Sequence, residues 1–315
     1  MSITARIDRV TAIPPDMRQA RPPAPRAVKV ELTGHCNYRC GFCALRLREH
    51  QPVHDMTWPL FQKIAAELRA AGVEELGLFY LGESFTNRAL LVNAIVEAKR
   101  LGFPYVFLTT NGSLATPAAV EACMAAGLDS LKFSINATPD QFADVMGVPE
   151  KWLWQALEHL AAARGIRDAG RYGCRIYASS IQFDGAQQDA MEAFLAAHVR
   201  PFVDEHYWLP LYSMGAFAAE REAELGYKPI AGNQGRIGAL RQPLPCWSAF
   251  TEAHVTHDGK LSACCFDATG SWTMGDLSTQ TFADAWHSEA FATLRAAHLA
   301  GNVTGTVCER CLAYA

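Results

Sequence analysis

The chain has 315 residues, 50% hydrophobic and 19% charged, the balance of a globular protein with a substantial core. Its net charge of −4 and its scattered arginines give no support for a basic nucleic-acid-binding face. No run of about 18 apolar residues offers a membrane span, and residues 1–26 lack the apolar stretch of a secretory signal.

Residues 1–27 are Arg- and Pro-rich and read as an extended N-terminal arm. Residues 28–33 then read as a strand running into the loop "HCNYRCGFCAL". Thr57 before Trp58-Pro59 marks a helix start, continuing to about Ala71. Residues 75–81 read as a buried strand, and "RALLVNAIVEAKRLG" as a helix closed by Gly102. A strand over 105–110, a helix over "PAAVEACMAAG", the strand "SLKFSINA" and a helix over 150–169 follow. Residues 174–183 read as a fifth strand, 185–198 as a helix and 203–211 as a sixth strand.

This alternation implies an α/β fold with a parallel sheet wrapped by helices, curled into a partial (β/α)6 TIM-like barrel. The loops "GHCNYRCGFC", "LGES", "TTNG" and "SINA" all fall at strand C-terminal ends, where such folds place their active sites. The barrel core is thus expected over 28–211, a linker without clear periodicity over 212–245, and a small C-terminal domain over 246–315. That last part reads as a hairpin turning at Asp258-Gly259 and a helix over 281–301.

Ten cysteines in a chain read as cytoplasmic argue against a disulfide framework. Cys36, Cys40 and Cys43 form C-x3-C-x2-C near the start. Cys246, Cys264, Cys265, Cys308 and Cys311 gather near the end, and Cys123 and Cys174 stand alone. Clustered thiolates suit zinc or iron–sulfur clusters. A structural zinc usually takes four protein ligands, so three cysteines in one tight loop suit a cubane with one iron left open.

The C-x3-C-x2-C loop, with Phe42 before its last cysteine, resembles the radical S-adenosylmethionine (SAM) superfamily. The resemblance implies that Cys36, Cys40 and Cys43 hold a [4Fe–4S] cluster whose open iron is chelated by SAM. Reductive cleavage of SAM would give a 5′-deoxyadenosyl radical that abstracts a substrate hydrogen atom. It also implies that Gly82 and Glu83 meet the methionine ammonium, and that Asn111, Ser134 and Asn136 lie at the cofactor. An external one-electron donor, such as a flavodoxin or ferredoxin, is implied as a partner.

Cys246, Cys264, Cys308 and Cys311 resemble the ligands of a SPASM/twitch-type extension carrying one auxiliary [4Fe–4S] cluster, with a zinc ribbon as the alternative. Cys265 adjoins Cys264, and neighbouring strand residues point to opposite faces, so both are not expected on one cluster. Cys123 reads as a buried small hydrophobe. Cys174 and Cys265 are the candidate catalytic thiols, able to return a hydrogen atom to a substrate radical.

The reaction expected is dehydrogenation or epimerisation of a small polar substrate such as an aminocyclitol, sugar or aminoglycoside. Peptide maturation is the alternative. The roughly 27 residues before the first strand are too few for a leader-binding domain, which favours the small-molecule reading. A non-catalytic electron carrier is a third reading, disfavoured by the open iron and the large barrel. Tyr177, Ser179, Gln182, His206, Tyr207 and Trp208 are candidate substrate-facing residues, of which alternation allows only half to face inward. Asp204, Glu205 and His206 are candidate bases.

Overall fold

The structure, a computed structural model, describes residues 1–43, 45, 51–183, 185–214, 224, 229–267 and 270–312. The chain opens on α1 (Ile3–Thr11), not on an extended arm. Ser2 caps this helix by accepting from Ala5 N, and Ile3, Ile7 and Val10 recur at helical spacing on the face turned to the barrel.

The barrel then follows as β1 (Ala27–Val30), α2 (Trp58–Ala70), β2 (Glu75–Gly77), α3 (Arg88–Arg100) and β3 (Tyr105–Thr110). It continues with α4 (Pro117–Ala125), β4 (Ser130–Ser134), α5 (Pro139–Met146), α6 (Lys151–Gly170), β5 (Arg175–Gln182), α7 (Gly185–His198) and β6 (Glu205–Pro210). Strand β2 stops at Gly77, short of the expected Leu81, and α5 is a helix that the alternating pattern did not contain. Residues 215–223 and 225–228 of the expected linker lie outside the described residues.

The C-terminal part holds β7 (Glu252–Val255), β8 (Lys260–Ser262), β9 (Thr273–Asp276), α8 (Phe282–Trp286), α9 (Glu289–Leu299) and α10 (Glu309–Leu312). The hairpin turns where expected, with Gly259 at φ +85°. The helix expected over 281–301 is two helices, because Ser288 leaves the helical path and caps α9 through Phe291 N.

The nine strands among the described residues form one sheet in the order β6-β5-β4-β3-β2-β1-β7-β8-β9. Strands β1 to β6 are parallel, and β7 adds in parallel to the free edge of β1, pairing Ala27 with Glu252 and Val30 with Val255. The C-terminal domain therefore continues the barrel wall.

Helix α1 lies across the N-terminal ends of the strands. Glu205, the first residue of β6, accepts from Ile3 N at 2.9 Å and from the Thr4 hydroxyl. Glu75, the first residue of β2, receives Arg6 at 3.0 Å and Arg9 at 2.6 Å. The Arg6 guanidinium also sits 3.5 Å from the centroid of the Tyr105 ring, and Thr251 before β7 donates to Val10 O at 2.5 Å. These contacts make α1 the floor of the barrel. No helix among the described residues is long and apolar enough to cross a membrane.

Candidate active site

The cysteine loop leaves β1 and is anchored on α5. Gly41 N donates to Val145 O at 2.7 Å, and Arg39 N to Met146 O at 3.2 Å. Cys43 N donates to Cys40 O at 3.1 Å, and Cys36 N donates to Gln51 Oε1 at 3.1 Å. Phe42 is buried against the Phe183 ring, 5.7 Å between centroids. Burial first, then the nearby Glu83 carboxylate, push the Cys36 thiol up to about 12; burial also holds Cys40 well above its ordinary value. Thiols in such surroundings become thiolates only when a cationic centre compensates them.

Above β2, the "LGES" loop presses onto the cysteine loop. A Cβ on Gly82 would stand 2.0 Å from Thr33 O, so only glycine permits the approach. Glu31 fixes the same loop, accepting from Leu81 N at 3.2 Å and Gly82 N at 3.1 Å, while its other oxygen meets His257 Nδ1 at 3.0 Å. Glu83 N donates to His35 O at 2.9 Å.

The Glu83 carboxylate is only 3% exposed. It accepts from Thr110 Oγ1 at 2.9 Å, Asn111 N at 2.8 Å and Phe85 N at 3.2 Å. Burial nonetheless raises its pKa, and among the described residues it has no cationic partner. A buried carboxylate beside Cys36, lacking a cation, fits an incoming ammonium group.

Asn111 gives its side-chain amide to Asn37 Oδ1 at 2.9 Å, and Asn37 in turn donates to Ser113 at 2.9 Å. Asn136 is buried and accepts from Ile181 N at 3.1 Å. Ser134 ends β4 on the same strand face as Lys132.

The second cysteine set also converges. Cys246, Cys264, Cys308 and Cys311 line one apolar cavity together with His298. His298 Nδ1 accepts from Cys246 N at 3.2 Å, which leaves Nε2–H to donate to Cys308 Sγ at 3.3 Å. Burial lowers the His298 pKa to about 4, so this ring is neutral. Among the described residues, no three His, Cys, Asp or Glu side chains close around a single metal ion. A cluster gives each thiolate its own iron and so holds them farther apart than one ion would; Cys36 and Cys43 lie near enough to Cys40 to act on its charge, and the second set surrounds one cavity.

A cavity of about 220 Å³ lies in the barrel above the α1 floor, lined by α1, by strand residues such as Lys29, Lys132 and Tyr207, and by Cys265 and Phe266. Cys265 lines it, whereas its neighbour Cys264 turns into the cluster cavity. Burial pushes the Cys265 thiol up to about 12, so it stays an S–H, and Asn233 Nδ2 sits 3.6 Å from its sulfur. Cys174 does not line the cavity. It precedes β5, buried with its thiol on Arg175 O at 3.6 Å, so it is no longer placed to meet a substrate radical. Cys123 is buried in α4.

Tyr177 and Tyr207 line the cavity; His206 and Trp208 turn outward to Ser180 and Glu192. Ser179 and Gln182 are not among its lining residues. Of the candidate bases, Asp204 is tied to Arg167 at 2.7 Å, Glu205 to α1, and His206 faces away. Sequence reasoning did not single out Glu31, Lys132 or His298. For Lys132 a signal existed, a lysine amid the apolar run "SLKFS".

The family model of the Radical SAM superfamily matches residues 30–172. A model of an iron-sulfur cluster-binding domain, SPASM, matches residues 246–312. The chain carries a radical SAM domain followed by a SPASM domain. A [4Fe–4S] cluster, SAM and auxiliary iron–sulfur binding come with these two domains. A PqqA peptide cyclase from Ruegeria pomeroyi is 33% identical over 125 residues, 40% of this chain and 33% of that relative, so the match spans about a third of its length. BtrN in complex with AdoMet and 2-DOIA has a similar fold: TM-score 0.59, 15% identity, 91% of this chain and 92% of that one. SuiB from Streptococcus suis, bound to precursor peptide SuiA, gives a TM-score of 0.66 at 12% identity, covering 92% of this chain and 69% of that one. At these identities the likeness is one of fold.

Proposed function

We propose that this enzyme modifies a residue of a peptide by hydrogen-atom abstraction, the peptide side chain entering the barrel cavity. The observation that carries the reading is the cavity. At about 220 Å³ it is smaller than drug-sized sites of about 300–1,000 Å³, and α1 closes its floor, so it suits one side chain while the peptide backbone stays outside. The peptide cyclase and the precursor peptide in the names of two relatives support the same reading.

With SAM bound, a [4Fe–4S] cluster held here would supply one-electron reduction and, through SAM, hydrogen-atom abstraction. Cys36, Cys40 and Cys43 hold that cluster. Glu83 receives the methionine ammonium, held ready by Thr110 and Asn111 N. Gly82 and Glu31 set the height of the loop that carries Glu83. Cys246, Cys264, Cys308 and Cys311 hold one auxiliary cluster, and complete thiolate ligation suits it to electron transfer. Cys265 is the thiol positioned to return a hydrogen atom to a substrate radical.

A second reading, dehydrogenation or epimerisation of a small polar molecule, is favoured by the near-complete mutual coverage with BtrN, whose structure holds 2-DOIA. One experiment separates the two. The reconstituted enzyme is given SAM, a reductant, and either a perdeuterated peptide library or perdeuterated sugars and aminocyclitols. Deuterium appearing in 5′-deoxyadenosine from the peptides supports peptide modification. Deuterium from the small molecules alone overturns it.

A further inference from the structure

Three cations reach the barrel cavity, and two are neutralised there. Arg6 pairs with Glu75 at 3.0 Å, and Lys29 with Glu252 at 2.8 Å. The third, Lys132 on β4, has no hydrogen bond or ion pair among the described residues; its nearest recorded partner is the Tyr207 ring, 5.7 Å from Nζ. Burial, with a smaller effect from Lys29, lowers its pKa to about 7. A half-buried amine without a counter-ion costs stability unless something compensates it. Tyr105, Tyr177 and Tyr207 stand around the same space, with the neutral Thr109 and Ser130 beside it.

We propose that Lys132 is an anion-recognition residue: it binds a carboxylate on the part of the substrate that enters the barrel. This rests on the cavity being the substrate site, the reading given above. The register supports it. Lys132 and Ser134 share one face of β4, so the Lys132 Cα lies about 6–7 Å below that of Ser134, the position the superfamily resemblance assigns to the cofactor. A carboxylate seated on Lys132 leaves the carbons a few bonds away beneath that position, where the hydrogen atom is to be taken. The carboxylate comes either from an acidic side chain or from a free C-terminus.

Ligand-observed NMR and calorimetry on the reconstituted, SAM-loaded enzyme test this with four probes. They are N-acetyl-glutamate N-methylamide, its glutamine counterpart, N-acetyl-alanine and glutarate. The glutamate probe is expected to bind about tenfold tighter than the glutamine probe. That preference is lost in Lys132→Met and largely kept in Lys132→Arg. If N-acetyl-alanine carries the Lys132-dependent binding, the group is a C-terminus and the anion site stands. If glutarate alone shows it, the anion site stands while the peptide reading fails. No preference for any carboxylate, or one that survives Lys132→Met, overturns the proposal.

Discussion

Changing Gly82 to alanine tests how the upper layer is assembled. The added Cβ would meet Thr33 O at 2.0 Å and His35 O at 2.9 Å, both backbone atoms of the segment entering the cysteine loop. Carbon–oxygen contacts close at about 3.3 Å, so the two loops must part by about 1 Å. Overpacking of this kind destabilises by about 1–3 kcal/mol, and each bond lost between Glu83 N and His35 O or Gly82 N and Glu31 adds about 1 kcal/mol. A shift of about 1 Å between Glu83 and the cysteines should slow 5′-deoxyadenosine formation about 100-fold. Gly165, exposed in α6 with nothing near its would-be Cβ, is the control; alanine there should stabilise by about 0.5–1 kcal/mol. The assays are thermal unfolding, SAM affinity and 5′-deoxyadenosine release by the reconstituted variants. A Gly82→Ala enzyme with wild-type stability and SAM affinity would refute the argument.

Further outcomes follow from the other sites. Cys264→Ala should lose the auxiliary cluster, roughly four of roughly eight irons per chain, whereas Cys265→Ala should keep all of them; equal iron contents contradict the opposed orientations. His298→Phe removes the N–H donated to Cys308 Sγ, and the auxiliary potential should fall because that bond favours the reduced, more negative cluster; a redox titration followed by EPR reads it. Glu252, with burial opposing and Lys29 and His254 lowering, sits at about 2. Its depressed folded pKa contributes stability above about pH 4.5 that is lost as pH falls towards 2. Glu252→Gln should therefore flatten that part of the acid-unfolding curve of the apo chain.

The parallel barrel was legible because each strand is a short apolar run followed by a capped or proline-started helix, as at Thr57 or Thr116. The first cysteine group was legible because its spacing is local; the second, spread from Cys246 to Cys311, was legible only through the resemblance and meets in the fold. Helix α1 was hidden by surrounding arginines and prolines, although Ser2 with Ile3, Ile7 and Val10 spells a cap and an apolar stripe. Helix α5 was missed because its eight residues directly follow a strand end, and its carbonyls turned out to anchor the cysteine loop. The strand face of Tyr207 against His206 was not legible, since both faces of β6 mix polar and apolar residues. Lys132 shows its meaning only when every other cation in the barrel has been paired.

The most direct test of the central claim is 5′-deoxyadenosine release from SAM by the reduced enzyme, compared with Cys40→Ala. The wild type should form it. The variant should form none while retaining the iron held by Cys246, Cys264, Cys308 and Cys311. Continued SAM cleavage by Cys40→Ala would contradict the assignment of the first cysteine loop as the site where the chemistry begins.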